Sequence, residues 1–99
     1  MVNMLIKWDE EAKTSLRDII AYIKKDSVQH AANVKQTILC TIREIPLHPE
    51  RYPVDKFKKG NNGNYRAFEI YHIRIAYKTE TNAIKIIRIR NTWQEPLEY

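Results

Sequence analysis

Residues 65–90 read YRAFEIYHIRIAYKTETNAIKIIRIR, and this stretch decides the fold. Three runs within it are rich in aromatic and β-branched side chains, which favour strands: Tyr65–Tyr71, Ile73–Thr79 and Ala83–Arg90. Thr81 and Asn82 are suitable turn residues before the third run. The junction at Tyr71 and His72 has no glycine, so its turn type stays open. The stretch therefore predicts three consecutive strands.

The middle run alternates between an apolar and a basic side. A strand places alternate residues on opposite faces of the sheet, so Ile73, Ile75 and Tyr77 share one face. Arg74 and Lys78 then share the other face. We expect the first face to be core and the second to be exposed and basic.

The last run has a mixed phase. Ile84 and Ile86 share a face with Arg88 and Arg90, whereas the remaining isoleucines share the opposite face. Either the start of this strand is buried on both faces or a β-bulge shifts its register, and the pattern leaves both alternatives open. In both cases neighbouring strands carry four arginines, and we expect some of them to converge: Arg66, Arg74, Arg88 and Arg90.

Two amphipathic helices are predicted in front of these strands. Apolar residues recur at three- and four-residue spacing between Asp9 and Lys25, and again between Ser27 and Ile45. Asp9 and Ser27 are suitable N-caps for the two helices. A short alternating run over Val2–Trp8 predicts one more strand before the first helix.

The segment between the helices and the three strands is predicted as loop. Residues 46–64 hold three of the four prolines and both glycines. A short strand at Val54–Lys58 is an open alternative within it. The resulting order, β-α-α-β-β-β, predicts an α+β fold in which a helical hairpin packs on one face of a small, mainly antiparallel sheet. We expect one domain over residues 1–99.

The net charge is confined to one half of the chain. Of the 99 residues, 17 are Lys or Arg and 12 are Asp or Glu, which gives a formal charge of +5. Residues 1–50 hold seven bases and seven acids, whereas residues 51–99 hold ten bases and five acids. This asymmetry predicts an anionic partner, either nucleic acid or an acidic protein segment. The alternative is a basic face that serves only solubility.

Several classes of function are excluded by what the sequence lacks. The single cysteine, Cys40, cannot form an internal disulfide, and its position in an apolar helix stripe predicts a small core residue. No apolar run approaches the roughly 20 residues that span a bilayer. The histidines His30, His48 and His72 lie on different elements, so we expect no metal site and no cofactor. A cytoplasmic protein that does not contact membranes is the expectation.

The converging arginines are the candidates for chemistry. Planar guanidinium groups bind phosphate oxygens bidentately, and on rigid strands they can also stabilise the charge of a phosphoryl transition state. For any single arginine, the alternative is a surface side chain lying over apolar neighbours.

A set of positions along nearly the whole chain resembles the RelE/ParE superfamily, the toxins of type II toxin–antitoxin modules. No single position is diagnostic, and the resemblance rests on their sum and order: Trp8, Ala12, Leu16, Ile19, Tyr22, Ile23, Ala31, Ile38, Ile42, Pro49, Tyr65, Arg66, Arg74 to Tyr77, Ile86 to Arg90, Gln94, Glu95, Pro96 and Tyr99.

The resemblance implies one of two activities. RelE-like members cut mRNA, usually in the ribosomal A site, by attack of a ribose 2′-hydroxyl on its own phosphate. ParE-like members poison DNA gyrase and are not known as nucleases. We expect an mRNA endoribonuclease, with the gyrase poison as the alternative and a non-catalytic nucleic-acid-binding module as a weaker one.

Carried over by position, the resemblance also implies site residues. Four would serve cleavage: Arg66, Arg74, Arg90 and Tyr99. Beside this carry-over, we expect five residues to bind nucleic acid through their charge or by stacking: Lys56, Lys58, Lys59, Arg88 and Trp93. Asn91 and Trp93 stand where many relatives carry His and Arg, and Phe68 stands where the RelE line has a second lysine. The long helical hairpin is more like the ParE side.

A toxin of this superfamily implies a partner. Its cognate antitoxin would wrap the toxin with an acidic or amphipathic segment that covers the basic face. The other partner would be mRNA on the ribosome or, in the alternative, DNA gyrase.

Overall fold

The computed structural model describes residues 4–94 and 97–99. Its elements follow the predicted order: β1 (Leu5–Trp8), α1 (Glu10–Asp26), α2 (Val28–Glu44), a single 3-10 turn (Ile45–Leu47), β2 (Tyr65–Ile70), β3 (Ile73–Glu80) and β4 (Ala83–Asn91). The first two residues of the predicted first strand, Val2 and Asn3, lie outside the described residues.

Two side chains fix the ends of the helices. The Asp9 carboxylate accepts a hydrogen bond from the Glu11 N–H at 3.1 Å, which caps α1. Ser27 serves both helices, because its N–H donates to the Ile23 carbonyl and its hydroxyl accepts from the His30 N–H, both at 3.0 Å. Both predicted N-caps are therefore confirmed, and the chain passes from α1 to α2 through a single residue.

The four strands form one sheet in the order β1-β4-β3-β2. β1 runs parallel to β4, and the other neighbours are antiparallel. The helices pack on one face of this sheet. Their stripes meet its apolar residues in a single core that includes Leu16, Val34, Ile38, Ile42, Phe68, Ile75, Tyr77, Ile84, Ile86 and Ile89. The predicted α+β architecture is confirmed.

A β-bulge explains the mixed phase of β4. Tyr77 pairs with Ile86 and Ala76 pairs with Arg88, so Ile87 has no counterpart in β3. The extra residue changes the alternation, and Ile89 returns to the core while Arg88 turns away from it. Of the two alternatives, the bulge is the one that the structure adopts.

The turn between β2 and β3 is a two-residue turn without glycine. Tyr71 and His72 both have positive φ, at 53° and 64°. Positive φ at both central residues matches the twist of a hairpin, and Asn and Gly usually occupy these positions. The turn geometry, which the sequence left open, is therefore adopted without the usual Asn and Gly, and Tyr71 is the less suited of its two residues.

One open alternative is not adopted, and one local expectation was wrong. The short strand considered at Val54–Lys58 is reduced to one bridge, between Val54 and Arg66. Cys40 is exposed and not part of the core, because it lies roughly half a helical turn from its buried neighbours Ile38 and Ile42.

Candidate functional site

The side of the sheet opposite the helices carries most of the cations of the strands. Register places Arg74 opposite Arg90, and Lys78 opposite Lys85. Arg88 lies opposite Ala76 in the row between them. We call this surface the basic face: Arg74, Lys78, Lys85, Arg88 and Arg90. Three of the four candidate arginines are on it, so the expectation that some would converge is confirmed.

Arg66 is the exception. It pairs with Tyr77, which is fully buried, and residues directly opposite in an antiparallel pair share a face. Its guanidinium donates to the Tyr52 carbonyl at 2.7 Å, on the other side of the sheet from Arg74. The expected convergence therefore does not include Arg66, because the register of β2 against β3 turns it toward the helix side.

A pocket of about 100 Å³ lies on the basic face, under the loop after Pro53 and residues 97–99. Asp55, which is 2% exposed, is one of the residues that line it. Asp55 Oδ1 accepts from Arg74 Nη2 at 2.8 Å and from the Phe57 N–H at 3.1 Å. Arg74 Nη1 also donates to Glu69 Oε2 at 2.9 Å. The charge of Arg74 is therefore balanced by two carboxylates.

Tyr99 completes this cluster from the C-terminal side. Its hydroxyl donates to Asp55 Oδ2. Its N–H donates to the Phe57 carbonyl at 3.0 Å, and its carbonyl accepts from the Lys59 N–H at 2.6 Å. The ring lies under the Arg88 guanidinium at 4.6 Å. Tyr99 is thus attached to the loop through both its main chain and its side chain.

These contacts move the pKa values of the cluster. Burial alone raises the pKa of Asp55, but the hydrogen bonds from Tyr99, Arg74 and Phe57 outweigh it and hold that pKa below its ordinary value. Burial and the bond to Asp55 raise the pKa of Tyr99 well above its ordinary value. Burial and the nearby Arg90 lower the pKa of Arg88.

The protonation states that follow limit the chemistry of the pocket. Tyr99 stays neutral, because its hydroxyl already donates to a carboxylate and its pKa is raised. Arg74 stays charged but paired. Arg88 donates to the Leu97 carbonyl, and neither Arg88 nor Arg90 has a carboxylate of the described residues within ion-pair distance.

The three predicted lysines lie on the loop that covers the basic face. Lys58 Nζ is 5.3 Å from the ring of Tyr99 and 4.9 Å from the ring of Tyr65, whereas Lys56 and Lys59 are exposed. Asn61 holds the loop in place by donating to the carbonyls of Asp55 and Tyr65, at 3.1 and 2.9 Å.

Trp93 lies outside the pocket. Its ring stacks on His72 at 5.2 Å and is 77% exposed. The structure therefore separates it from the cations with which it was grouped in the sequence.

Sequence reasoning missed Asp55, the residue that joins Arg74 to Tyr99. The available signal was weak, since Asp55 is one acid in a segment with Lys56, Lys58 and Lys59. Among residues 4–94 and 97–99, no group of three or more His, Cys, Asp or Glu side chains could hold a metal ion. No described helix is both long and apolar enough to cross a membrane.

Comparisons with known proteins identify relatives of this fold. The family model described as the ParE toxin of the type II toxin–antitoxin system parDE matches residues 6–96. A solved chain from the chromosomal ParDE toxin–antitoxin system of P. aeruginosa superposes with a TM-score of 0.67 at 18% identity, over 89% of this chain and 95% of that one. At that identity the likeness establishes the fold. No curated protein matches this chain by sequence.

Proposed function

This chain belongs to the ParE toxin family of type II toxin–antitoxin systems, and on that premise we propose that it poisons DNA gyrase and does not cut RNA. The family match favours the gyrase alternative over the mRNA endoribonuclease that the sequence resemblance first suggested. A cytoplasmic location, where gyrase works, is part of the proposal.

The ion-pair cluster around Asp55 is the observation that carries the proposal. Attack by a ribose 2′-hydroxyl needs a group that accepts its proton and a cation that meets the phosphate. Tyr99 keeps its proton at neutral pH, and Arg74 is held by Asp55 and Glu69. Arg66, the third candidate, lies on the other side of the sheet. These groups are poorly arranged for cleavage.

One feature favours the nuclease as the second candidate. Arg88 and Arg90 both line the pocket, and two guanidinium groups are a suitable anchor for phosphate. With Tyr99 and Arg74 tied to Asp55, this pair supports binding of an anion more than it supports proton transfer.

The cognate antitoxin is the partner that toxin–antitoxin membership implies. We propose that an acidic or amphipathic segment of the antitoxin covers the basic face, because the excess positive charge of the chain is concentrated there.

Two parallel assays test the target. Purified toxin is titrated against gyrase supercoiling of relaxed plasmid, and separately incubated with translating ribosomes whose mRNA is mapped by primer extension. We expect the toxin to inhibit supercoiling and to leave the mRNA intact. Toxin saturated with its antitoxin should neither inhibit supercoiling nor cut mRNA. Site-specific mRNA breaks that disappear in an Arg88→Ala/Arg90→Ala variant, with normal supercoiling, would overturn the proposal.

A further inference from the structure

A second, larger concavity adjoins the pocket of the basic face, with which it shares Asn91 and Gln94. It has a volume of about 690 Å³ and runs between α1, the β2–β3 turn and the residues after β4. We call it the aromatic groove and define it by Tyr22, Tyr71, His72 and Trp93, with Asp18 and Asp26 on its α1 wall.

The side chains of the aromatic groove are unusually exposed. Trp93 is 77%, Tyr22 69% and Tyr71 51% exposed. Exposed apolar residues scattered singly are ordinary, but large ones that line the same concavity mark interaction sites. Trp and Tyr are also the residues that most often dominate binding energy at protein interfaces.

The backbone beneath the groove is strained. Tyr71 and His72 both hold positive φ, which is uncommon for a tyrosine although histidine adopts it more readily. Each ring packs against one other ring, Tyr71 against His30 with centroids 5.7 Å apart and His72 against Trp93 with centroids 5.2 Å apart. Such strain is concentrated at functional sites, and here it presents two rings into the groove.

The charge of the groove is opposite to that of the basic face. Asp18 and Asp26 line it, and no lysine or arginine does among the described residues. A cation already lies near one of its rings, since Lys25 Nζ is 5.8 Å from the centroid of Tyr22. Aromatic faces with carboxylates beside them attract Lys and Arg side chains.

We propose that the aromatic groove docks a basic segment of DNA gyrase, an inference that rests on the proposed function. Enzymes that handle DNA carry basic surfaces. The basic face of this toxin would repel such a surface, whereas the groove offers aromatic rings and two carboxylates to it. Arginine or lysine side chains of gyrase would stack on Trp93 and Tyr22 and pair with Asp18 and Asp26.

Variants of exposed residues test the groove without disturbing the core. Trp93→Ala removes the largest ring, and Asp18→Asn/Asp26→Asn removes both charges. Leu47→Ala is the matched control for the first, since Leu47 is 70% exposed elsewhere. Glu44→Gln/Glu50→Gln is the control for the second, since it changes the net charge equally and Glu44, like Asp26, ends a helix.

We expect the concentration of toxin that half-inhibits supercoiling to rise about tenfold or more for Trp93→Ala, as for an interface hot spot. The double Asp variant should lose potency chiefly at low salt, and both controls should match the original chain. Unfolding midpoints measured beside the assay should be unchanged for all four variants.

The outcomes separate the two proposals. If the unmodified toxin leaves supercoiling intact, the proposed function fails and the docking inference fails with it. If it inhibits and the groove variants inhibit equally well, only the docking inference is overturned. The same holds if the variants weaken the complex with the antitoxin instead, because the groove would then belong to that partner.

Discussion

At the scale of single residues, Asp55 determines how the candidate site is built. Its two carboxylate oxygens accept from Arg74, 19 residues away, and from Tyr99, 44 residues away. With the carboxylate nearly fully buried, removing one partner leaves a charge or a polar atom uncompensated, which is costly. Stability of this region should therefore depend on each member of the cluster.

Replacing Asp55 should change the pH dependence of folding. The folded-state pKa of Asp55 is depressed, so its contribution is present above its ordinary value of 3.8 and is lost as pH falls through the lower folded value. We expect Asp55→Asn to be less stable by about 2 to 3 kcal/mol at neutral pH, with the difference shrinking below about pH 4.

Urea unfolding across this pH range measures the effect. Glu69→Gln is the control, because Glu69 binds the same arginine but its side chain is 52% exposed. It should cost no more than about 1 kcal/mol. If the free energy of unfolding falls as steeply at acid pH in Asp55→Asn as in the original chain, the cluster does not lower the pKa of Asp55.

Replacing Arg74 should harm the fold before it harms any binding. Arg74→Ala leaves Asp55 buried with Tyr99 and the Phe57 N–H as its remaining partners. We expect a loss of about 2 to 3 kcal/mol, measured by thermal or urea unfolding. Arg74→Lys should recover part of the lost stability, since an ammonium can pair with one carboxylate but lacks the planar guanidinium with which Arg74 binds both.

The sequence predicted the residues of this cluster unevenly. The alternation in β3 predicted that Arg74 lies on the exposed side of the sheet. The family resemblance selected Tyr99 and Arg90 as candidate site residues. Arg66 lies on the other side of the sheet, and the sequence of β2 alone could not reveal this because it does not show the register against Tyr77. Asp55 was missed because a carboxylate in a loop has no periodic pattern, and its partners are distant in sequence.

At the scale of elements, local chemistry was sufficient for the helices. Asp9 and Ser27 are caps in both the prediction and the structure, because capping involves only residues two or three positions apart. The register shift of β4 could be recognised as one of two alternatives, but choosing between them required the partner strand.

Ser27 should be costly to replace, because it ends α1 and begins α2. In Ser27→Ala the N–H bond to Ile23 remains, and the hydroxyl that accepts from the His30 N–H is lost. We expect a loss of about 1 kcal/mol in the free energy of unfolding. Ser27→Asp should be nearly neutral, and equal stability of Ser27→Ala and the original chain would contradict the assigned cap.

The β2–β3 turn should become more stable when its two rings, which line the aromatic groove, are replaced by residues suited to positive φ. Tyr71→Asn/His72→Gly supplies the residues that the two positive φ angles favour. We expect a gain of about 1 kcal/mol in stability, reduced by the lost ring contacts, in thermal unfolding. A clear loss of stability would mean that the rings hold the turn more strongly than the backbone opposes it.

At the scale of the whole molecule, charge is divided between surfaces. The net +5 of the chain lies in its second half, and the sheet places much of it on the basic face. Composition revealed this excess but not its position relative to the helices or to the acidic α1 wall of the aromatic groove. Only the folded arrangement of strands separates the two surfaces.

Association with the antitoxin should depend on ionic strength. If an acidic segment meets the basic face, the association rate should fall steeply as salt rises past about 0.1 M, where the screening length is about 10 Å. Arg88→Gln/Arg90→Gln should flatten that dependence in stopped-flow measurements, and Lys24→Gln/Lys25→Gln on α1 is the charge-matched control. An equal slope in both variants would place the contact elsewhere.

The pairing of β1 with β4 joins the earliest strand of the chain to the latest one. While the protein is being synthesised, the ribosome releases β1 and both helices long before residue 91. The central position of β4 in the sheet stays vacant until then. A nascent chain therefore cannot assemble the pocket or the groove before β4 has left the ribosome, and the cell meets no competent toxin until then.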